Sequence, residues 1–323
     1  MFHIIDSTLN YITEENTEFT KEFALEFIHH LKMVGITDIL ISKYVYRLLQ
    51  QDIPTDRKFY MELEATENTS GYYGINWYFK RYKTGEDRVI CSYQLNDVRE
   101  IMKLKTFHFT NGVLLTGLDD FICHDYKNKF QQMREYANTV RIILRPENSY
   151  NCASAIAVEY VMNGGQDIIT SFLGIGNLAA TEQVIMALRY TGQFRMRQNY
   201  GALIEMKELY ERAGLGKIGN KAPIVGNTIF DIESGIHVDG VLKNSTNYEC
   251  VSPQMLGRTR NIILGKHSGR VSVEYKRQEL KLPLLTQSQE SNILTRIKET
   301  SMRNRRSISD EEFVQIVRST LDI

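Results

Sequence analysis

The sequence predicts an α/β fold in which buried strands alternate with amphipathic helices. The first observation is a short apolar run, Phe2–Asp6, followed by a helical pattern over Thr17–Val34 and a second apolar run, Ile36–Ile41. A strand, a helix and a strand in succession imply a parallel pair of strands with the helix on one face. The second observation is that about seven or eight such units precede residue 226. This repetition predicts an α/β barrel, with a doubly wound open sheet as the alternative.

Each further element rests on a local pattern. In Thr17–Val34, apolar residues recur every three or four positions, which is the period of an amphipathic helix. Short apolar runs predict further strands at Phe59–Ala65, Arg88–Tyr93, Lys105–Phe109, Thr139–Leu144 and Asp167–Phe172. We count Thr139–Leu144 as the sixth strand. Helices are predicted at Asp119–Tyr136, Ala153–Met162 and Thr181–Arg189. The stretch Asn68–Tyr82 is rich in Tyr, Gly and Asn and has no clean period.

The pattern changes after Gly269, where helices replace the alternation. Helices are predicted at Val271–Glu279, Gln287–Ser301 and Phe313–Thr320, the last preceded by Ser309 and Glu312 at the spacing of a capping box. The glycine-rich Ala213–Lys221 is the clearest linker. We therefore expect an α/β domain at 1–225, a connecting segment at 226–269 and a small, mainly helical appendage at 270–323.

Composition excludes several classes of protein. The 39 Lys and Arg balance the 39 Asp and Glu, so no basic surface for nucleic acid is expected. No stretch approaches the roughly 20 apolar residues of a membrane span, and the N-terminus lacks the features of a signal peptide. The four cysteines stand alone, as reduced thiols of a cytosolic protein do. These features predict a cytoplasmic location, with neither membrane nor nucleic acid as a partner.

Two motifs carry a family resemblance. The first is ESGIHVDG, Glu233–Gly240, with Tyr248 eleven residues after His237; the second is LGKHSG, Leu264–Gly269. In this order they resemble the region that follows the barrel in homocitrate synthase and 2-isopropylmalate synthase. The resemblance implies a (β/α)8 TIM-type barrel. It also implies a Claisen-type condensation of acetyl-CoA with a 2-oxo acid, assisted by a divalent metal ion.

The front of the chain departs from the family at the residues that bind the metal. Relatives use an acid of a DTTLRDGEQ-like first strand and two histidines of an HxHND-like sequence. Here DSTL is kept, but Tyr11 stands at the position of the acid, and Arg145 and Glu147 stand at those of the histidines. Arginine offers only donors and cannot bind a metal. The seven histidines form neither HxH nor HExxH, so we expect no metal bound by this chain; the alternative is a site built from distant acids, such as Asp6 with Glu62 or Glu64.

The resemblance also assigns candidate site residues. His237 and Tyr248 belong to a segment that, in the family, reaches across a dimer into the neighbouring active site, and they are the catalytic candidates. Arg145 could hold a carboxylate as a fixed cation, or pair with Glu147 or another acid. The GIGN turn, Gly174–Asn177, could face acetyl-CoA or a 2-oxo acid, or it could be a plain tight turn. The GKHSG segment, Gly265–Gly269, could bind a CoA phosphate or have a structural role. The substrate-binding candidates are Asp6, Arg145, Glu147, Asn148, Gly174, Gly176 and Asn177.

Three functions remain open at this point. The chain could be a divergent subunit that contributes His237 and Tyr248 to the active site of a full-length related synthase. It could be a homodimeric acyltransferase whose metal site is unconventional or absent. It could also be a non-enzymatic protein that senses a 2-oxo acid or a CoA ester. Expected partners are therefore a second copy or a related synthase, with acetyl-CoA and a 2-oxo acid as small molecules.

Overall fold

A computed structural model describes residues 2–138, 140–192 and 198–321. Its first compact unit, Met1–Ile218 with Pro223–Val225, contains a closed barrel of eight parallel strands. Each strand pairs with the next, and the eighth closes onto the first. The strands are β1 (His3–Asp6), β2 (Asp38–Leu40), β3 (Lys58–Leu63), β4 (Trp77–Arg81), β5 (Val89–Leu95), β6 (Val113–Gly117), β7 (Ile142–Pro146) and β8 (Asp167–Thr170). The predicted barrel is confirmed, and the open sheet is wrong.

An α-helix follows each of five strands, β1, β2, β6, β7 and β8, and a sixth helix comes last in the first unit. Side-chain caps begin three of them: Thr20 accepts from the N–H of Phe23, Ser42 from that of Val45, and Asp125 from that of Asn128. The helices are α1 (Lys21–Met33), α2 (Lys43–Leu49), α3 (Tyr126–Tyr136), α4 (Ala153–Met162), α5 (Thr181–Tyr190) and α6 (Ala202–Arg212). Within the described ranges, no helix has the length and apolar character needed to cross a membrane.

Loops replace the helices after β3 and β4, and a buried lysine ties these loops to the barrel. Lys80 is 2% exposed, and its Nζ donates to the carbonyl of Glu67 and to Oε2 of Glu86, both at 2.6 Å. The first partner lies in the loop after β3 and the second in the loop after β4. One ammonium group thus fixes two loops where the α/β pattern lacks its helices.

Three strand predictions between residues 70 and 146 need correction. Lys105–Phe109 is not a strand: a 3-10 helix covers Val98–Thr106, and Phe107 and Phe109 stack on each other with centroids 5.9 Å apart. Strands β4 and β6 were not predicted; β4 ends in two cations, Lys80 and Arg81, which interrupt its apolar run. Thr139–Leu144 is consequently the seventh strand, not the sixth; it begins at Ile142, and Thr139 lies outside the described residues.

The barrel interior is filled by one apolar side chain from each strand. These side chains and Leu178 form a buried cluster, against which Tyr11 and Trp77 also pack. The strand residues of the cluster are Ile5, Leu40, Tyr60, Phe79, Ile90, Leu114, Ile143 and Ile169. Since each side chain in this layer meets neighbours from other strands, the layer explains why strands as short as three residues close into a barrel.

A second compact unit comprises Gly219–Ala222 and Gly226–Ile323. Among its described residues are two short paired strands, separated by one helix, and three further helices, and its core includes Leu264, Val273, Ile297 and Phe313. Its elements are β9 (Asp231–Ile232), α7 (Gly235–Asn244), β10 (Asn261–Ile262), α8 (Arg270–Glu279), α9 (Gln287–Asn304) and α10 (Asp310–Leu321). The three predicted C-terminal helices are confirmed, as is the capping box between Ser309 and Glu312.

Two buried carboxyl groups bond at the start of α5: Asp6 joins it to β1, and Glu182 joins it to the turn after β8. Asp6 accepts from the N–H of Thr8 at 2.9 Å and from the hydroxyl of Thr181 at 2.7 Å. Glu182, 1% exposed, accepts from the N–H of Leu173 at 2.9 Å. Burial raises the pKa of Asp6 to about 6 and that of Glu182 to about 7. Because burial favours the neutral form of these carboxyl groups, their ionisation lowers the stability of the folded chain.

We predict that Glu182→Gln removes a pH dependence from folding stability. The folded pKa of Glu182 lies above its ordinary value of 4.5, so its contribution is complete below pH 4.5 and is lost as the pH rises through 7. The glutamine keeps an acceptor for Leu173 but does not ionise. Between pH 5 and 8, the variant should therefore gain roughly 3 kcal/mol in unfolding free energy relative to the parent.

Urea unfolding at several pH values measures this difference. The matched control is Glu208→Gln, which changes an exposed glutamate on α6. Parallel stability curves for the parent and Glu182→Gln would contradict the buried, neutral state of Glu182.

Candidate functional site

In strands β3 to β7 the barrel interior changes from apolar to polar within two residues, and in the other three strands the polar residue lies just beyond the end of the strand. Successive strand side chains alternate between faces, so the position two residues beyond each core residue faces the same way. All eight of these positions are polar. They are Ser7, Ser42, Glu62, Arg81, Ser92, Thr116, Arg145 and Ser171. The carboxyl end of the barrel, where barrel enzymes hold their active sites, therefore carries a polar layer, five members of which line a cavity.

Two of the three charged members of this layer, Glu62 and Arg145, are paired with each other. Arg145 forms an ion pair through Nη1 with Oε1 of Glu62, and Oε2 of Glu62 accepts from Asn10 at 3.2 Å. A second chain of bonds runs from the hydroxyl of Thr116 to Gln94, whose Nε2 donates to Glu147 at 3.2 Å. Arg145 thus pairs with an acid, as one of the two interpretations of the sequence required, but the acid is Glu62 and not Glu147.

Tyr11 fills the side of the mouth next to β1. Its ring packs against the apolar cluster and against Gly176, where a Cβ atom would lie 2.1 Å from Cζ of the ring. Gly176 also has a φ of 74°, so two constraints favour glycine there. Burial raises the pKa of the Tyr11 phenol, which the nearby Arg145 partly opposes. Tyr11 therefore remains a neutral phenol that closes part of the barrel.

The side chains of two further barrel candidates, Asp6 and Asn148, form hydrogen bonds that stabilise the local structure, and they do not line the cavity at the mouth. Asp6 bonds to Thr8 and Thr181, and its position in the alternation is opposite to that of the core residue Ile5. The side-chain oxygen of Asn148 accepts from the N–H of Ala153 at 2.9 Å, at the start of α4. These two side chains therefore have structural bonds that sequence reasoning did not foresee.

The GIGN turn has the internal bonds of a tight turn. Gly174 donates to the carbonyl of Ser171 and accepts from the N–H of Leu178, and the carbonyl of Asn177 accepts from the N–H of Asn148 at 2.8 Å. Several N–H groups that could face an anion are thus engaged in the protein. Of the two interpretations of this turn, the bonds favour the structural one.

The residues at the family's metal positions do not fit a divalent ion. A hard cation needs several oxygen or nitrogen lone pairs. Here the three positions offer a protonated guanidinium, a packed phenol and one carboxylate already bonded to Gln94. Among the described residues, no group of three or more His, Cys, Asp and Glu side chains could hold a metal. No step of the chemistry proposed below passes through a metal in this barrel.

Sequence reasoning missed most of the residues around the cavity at the mouth. The cavity has a volume of about 400 Å³ and is bounded by strands β3 to β7. Glu62, Arg81, Ser92, Thr116 and Arg145 of the polar layer line it. Of these, the sequence had singled out Arg145 as a substrate-binding candidate and Glu62 as an alternative metal ligand. The signal that could have found the others is the step of two residues from each buried apolar position.

In the second unit, the two family motifs are locked together through glycines. Glu233 of ESGIHVDG accepts from the N–H of His267 at 2.9 Å and from the hydroxyl of Ser307 at 3.1 Å. A Cβ at Gly265 would lie 2.6 Å from the carboxyl carbon of Glu233, and one at Gly235 would lie 2.8 Å from Cα of Gly269. The motif glycines therefore allow close approach of two segments, which gives GKHSG a structural role.

His237 and Tyr248 come together on the surface of the second unit. Their ring centroids are 6.1 Å apart with an interplanar angle of 63°, and both side chains are exposed. His237 lies in the first turn of α7, while Tyr248 follows a 3-10 helix, Ser245–Asn247. Gly240 makes the pairing sterically feasible, because a Cβ there would lie 2.2 Å from Cζ of Tyr248. The structure thus brings together the two catalytic candidates as one exposed pair.

The chain matches known proteins along its whole length. Residues 224–305 match the family described as homocitrate synthase post-HMGL domain-like. The omega subunit of homocitrate synthase from Clostridium pasteurianum is 26% identical over 324 residues, which covers 98% of this chain and 87% of that protein. Homocitrate synthase AksA from Methanothermobacter thermautotrophicus is 36% identical over 186 residues, covering 56% of this chain and 46% of the relative.

A third relative is named for a different product. It is 2-isopropylmalate synthase 2 from Caldanaerobacter subterraneus subsp. tengcongensis, 31% identical over 180 residues, with 55% of this chain and 47% of the relative covered. The chain thus spans most of the Clostridium protein but about half the length of the other two. The two motifs lie inside the matched region 224–305, and the barrel precedes them in the order that the resemblance requires. The chain is thus similar to the homocitrate synthase and 2-isopropylmalate synthase family, whose post-barrel domain its residues 224–305 match.

Proposed function

We propose that this chain is a divergent subunit of a homocitrate-synthase-like acyltransferase. In this proposal a related synthase with an intact barrel condenses acetyl-CoA with a 2-oxo acid. The present chain contributes His237 and Tyr248 to that active site. The observation that carries the proposal is a contrast between the two units. The exposed His237–Tyr248 pair is assembled, while Arg145 at a metal position is ion-paired to Glu62.

The relative that covers most of this chain supports a subunit role. It is named as a subunit of homocitrate synthase, and the match reaches 98% of this chain. Relatives named as synthases, without the word subunit, match over 50% to 68% of the chain. This difference favours an assembly in which two different chains contribute residues to one active site. A homodimeric acyltransferase and a sensor protein become outcomes of the experiments below.

The chemistry of the pair suits proton transfer next to an enolate. Removing a proton from the acetyl methyl group creates negative charge on the thioester oxygen, which a hydrogen-bond donor stabilises. A phenol is such a donor, and an imidazole can take or return a proton near neutral pH. Their exposure fits residues that act in another chain, because a pair buried in its own unit could not reach a partner's substrate.

We predict that the purified chain holds no stoichiometric divalent metal. The guanidinium of Arg145 adds positive charge where the family binds a cation, and Tyr11 fills the adjacent space. Elemental analysis after purification without chelators measures the metal content, with a complete synthase purified in the same way as the control. One Zn, Mn or Mg per chain would contradict the prediction.

We predict that the chain raises the rate of a complete relative from the same organism but is inactive alone. Thiol release from acetyl-CoA measures the condensation with 2-oxoglutarate, 2-oxoisovalerate, pyruvate or oxaloacetate. His237→Ala or Tyr248→Phe should lower the rate of the mixture by roughly 10²–10⁴, the range for a lost acid–base group.

Two exposed residues of the same types provide controls for this experiment. His108→Ala and Tyr73→Phe should leave the rate of the mixture unchanged. If both His237→Ala and Tyr248→Phe support the mixture as well as the parent does, the subunit proposal fails and a sensor is favoured. Turnover by the parent chain alone would instead favour the homodimeric enzyme.

We predict that Gly240→Ala acts on Tyr248 and not on the helix. Alanine favours a helix interior over glycine by roughly 0.5–1 kcal/mol, so α7 itself should not be weakened. The added Cβ would collide with the Tyr248 ring, at 2.2 Å from Cζ. The rate of the mixture should fall about as far as with Tyr248→Phe. Lys243→Ala, an exposed change on the same helix, is the control; equal rates for the two variants would show that Tyr248 needs no fixed position.

A further inference from the structure

We propose that the ion pair between Glu249 and Arg260 positions the Tyr248 phenol against His237. This role rests on the proposed function, since it concerns the same exposed pair of rings. Glu249 follows Tyr248 directly in the chain, and Arg260 directly precedes β10. Both residues act through Tyr248, so they are positioning residues and not catalytic residues.

The two rings have no polar contacts that would fix them. Neither the His237 imidazole nor the Tyr248 phenol forms a hydrogen bond with another described residue, and their centroids lie 6.1 Å apart. Tyr248 is 49% exposed. Gly240 leaves room for the Tyr248 ring but offers no side chain to hold it. The position of the phenol therefore depends on the backbone that carries it.

That backbone has little regular structure. Tyr248 follows the short 3-10 helix Ser245–Asn247, and residues 248–252 belong to neither a helix nor a strand. The N–H groups of Tyr248 and Glu249 both donate to the first carbonyl of the 3-10 helix at 3.0 Å. Of residues 246–250, all of which the structure describes, only Glu249 is not exposed. Glu249 is therefore the anchor of this exposed segment.

The Glu249 carboxylate binds the Arg260 guanidinium through two hydrogen bonds. Nε of Arg260 donates to Oε1, and Nη2 donates to Oε2 at 2.6 Å. The side chain of Glu249 is 11% exposed and that of Arg260 is 27% exposed. An exposed ion pair with a single contact contributes little, whereas an arginine–carboxylate pair with two bonds fixes orientation as well as distance. This pair thus defines where Glu249 lies.

Arg260 connects the ion pair to the helix that carries His237. β10 begins at the next residue and pairs in parallel with β9. Two residues separate β9 from α7, and His237 is the third residue of that helix. Tyr248 and His237 are therefore joined twice, once along the chain from α7 and once through the ion pair and the two strands. Without the ion pair, only the connection through irregular backbone remains.

Fluorine NMR of the chain alone, with 3-fluorotyrosine at position 248, tests this geometry. Imidazoles titrate between roughly pH 5 and 8, so the fluorine signal should shift over this range, and His237→Ala should abolish the shift. Glu249→Gln keeps the size of the side chain but removes its charge. The shift should then fall by about half or more, because the field of a protonated imidazole weakens with distance. Arg260→Gln and the double variant should have the same effect as Glu249→Gln, since all three remove one interaction.

The rate of the mixed enzyme provides the second measurement. Glu249→Gln should lower kcat of the mixture roughly 10–100-fold with a nearly unchanged KM for acetyl-CoA, because a misplaced acid–base group affects the chemical step. Glu274→Gln is the matched control. Glu274 binds Arg277 through two hydrogen bonds of the same kind, but within α8. This control should leave both the fluorine shift and kcat as in the parent.

The outcomes separate the positioning role from the proposed function. A parent-like fluorine shift in Glu249→Gln overturns the positioning role, as does a parent-like kcat in that variant when His237→Ala is impaired. An equal loss in Glu274→Gln would show a general loss of structure and would also overturn it. If the parent chain raises the rate of no relative, the proposed function fails. A fluorine shift that depends on both His237 and Glu249 would still support the positioning of Tyr248.

Discussion

Strand alternation is the constraint on which the structure of this barrel depends. Alternate side chains of all eight strands must enter one narrow interior, so each position along the strands forms a layer. The layer through Tyr60 and Ile143 is apolar and closes the barrel, and the next position is polar in strands β3 to β7 and just beyond the ends of the other three. The cavity, the Glu62–Arg145 pair and the packing of Tyr11 all lie at or above this change. The chemistry of the mouth is therefore set by eight positions with a fixed register.

Much of the fold was predictable, because its signals are local. The helix at Thr17–Val34, the strand at Asp167 and the capping box at Ser309 each depend on neighbours in sequence. Strand β4 was not predictable in this way. Its Lys80 can be buried because the carboxylate of Glu86 neutralises its charge and the carbonyl of Glu67 accepts a hydrogen bond from it. Both partners belong to loops without a periodic pattern. A buried cation conceals a strand from any interpretation based on hydrophobicity.

The candidate site was predictable only where motifs carried it. His237 and Tyr248 were found because they stand in a motif with fixed spacing, and the structure places their rings next to each other. Arg81 and Ser92 stand in no motif, and only the closed barrel makes them neighbours of Arg145. The ion pair between Glu62 and Arg145 joins residues 83 positions apart, so the sequence could predict that Arg145 finds an acid but not which one.

The Glu62–Arg145 pair also bears on how readily this barrel could change. Replacing Arg145 with histidine alone would leave Glu62 without its counter-ion, and it would leave Tyr11 packed against Gly176. Replacing Tyr11 with an acid alone would place a third carboxylate beside Glu62 and Glu147, the two acids whose charges already act on the Tyr11 phenol. Each single step towards a metal site therefore destabilises the folded chain before any ion can bind. Under the proposed divergence, the substitutions at Tyr11 and Arg145 would have to be reversed together. Stepwise mutation would therefore rarely restore the metal site once it is lost.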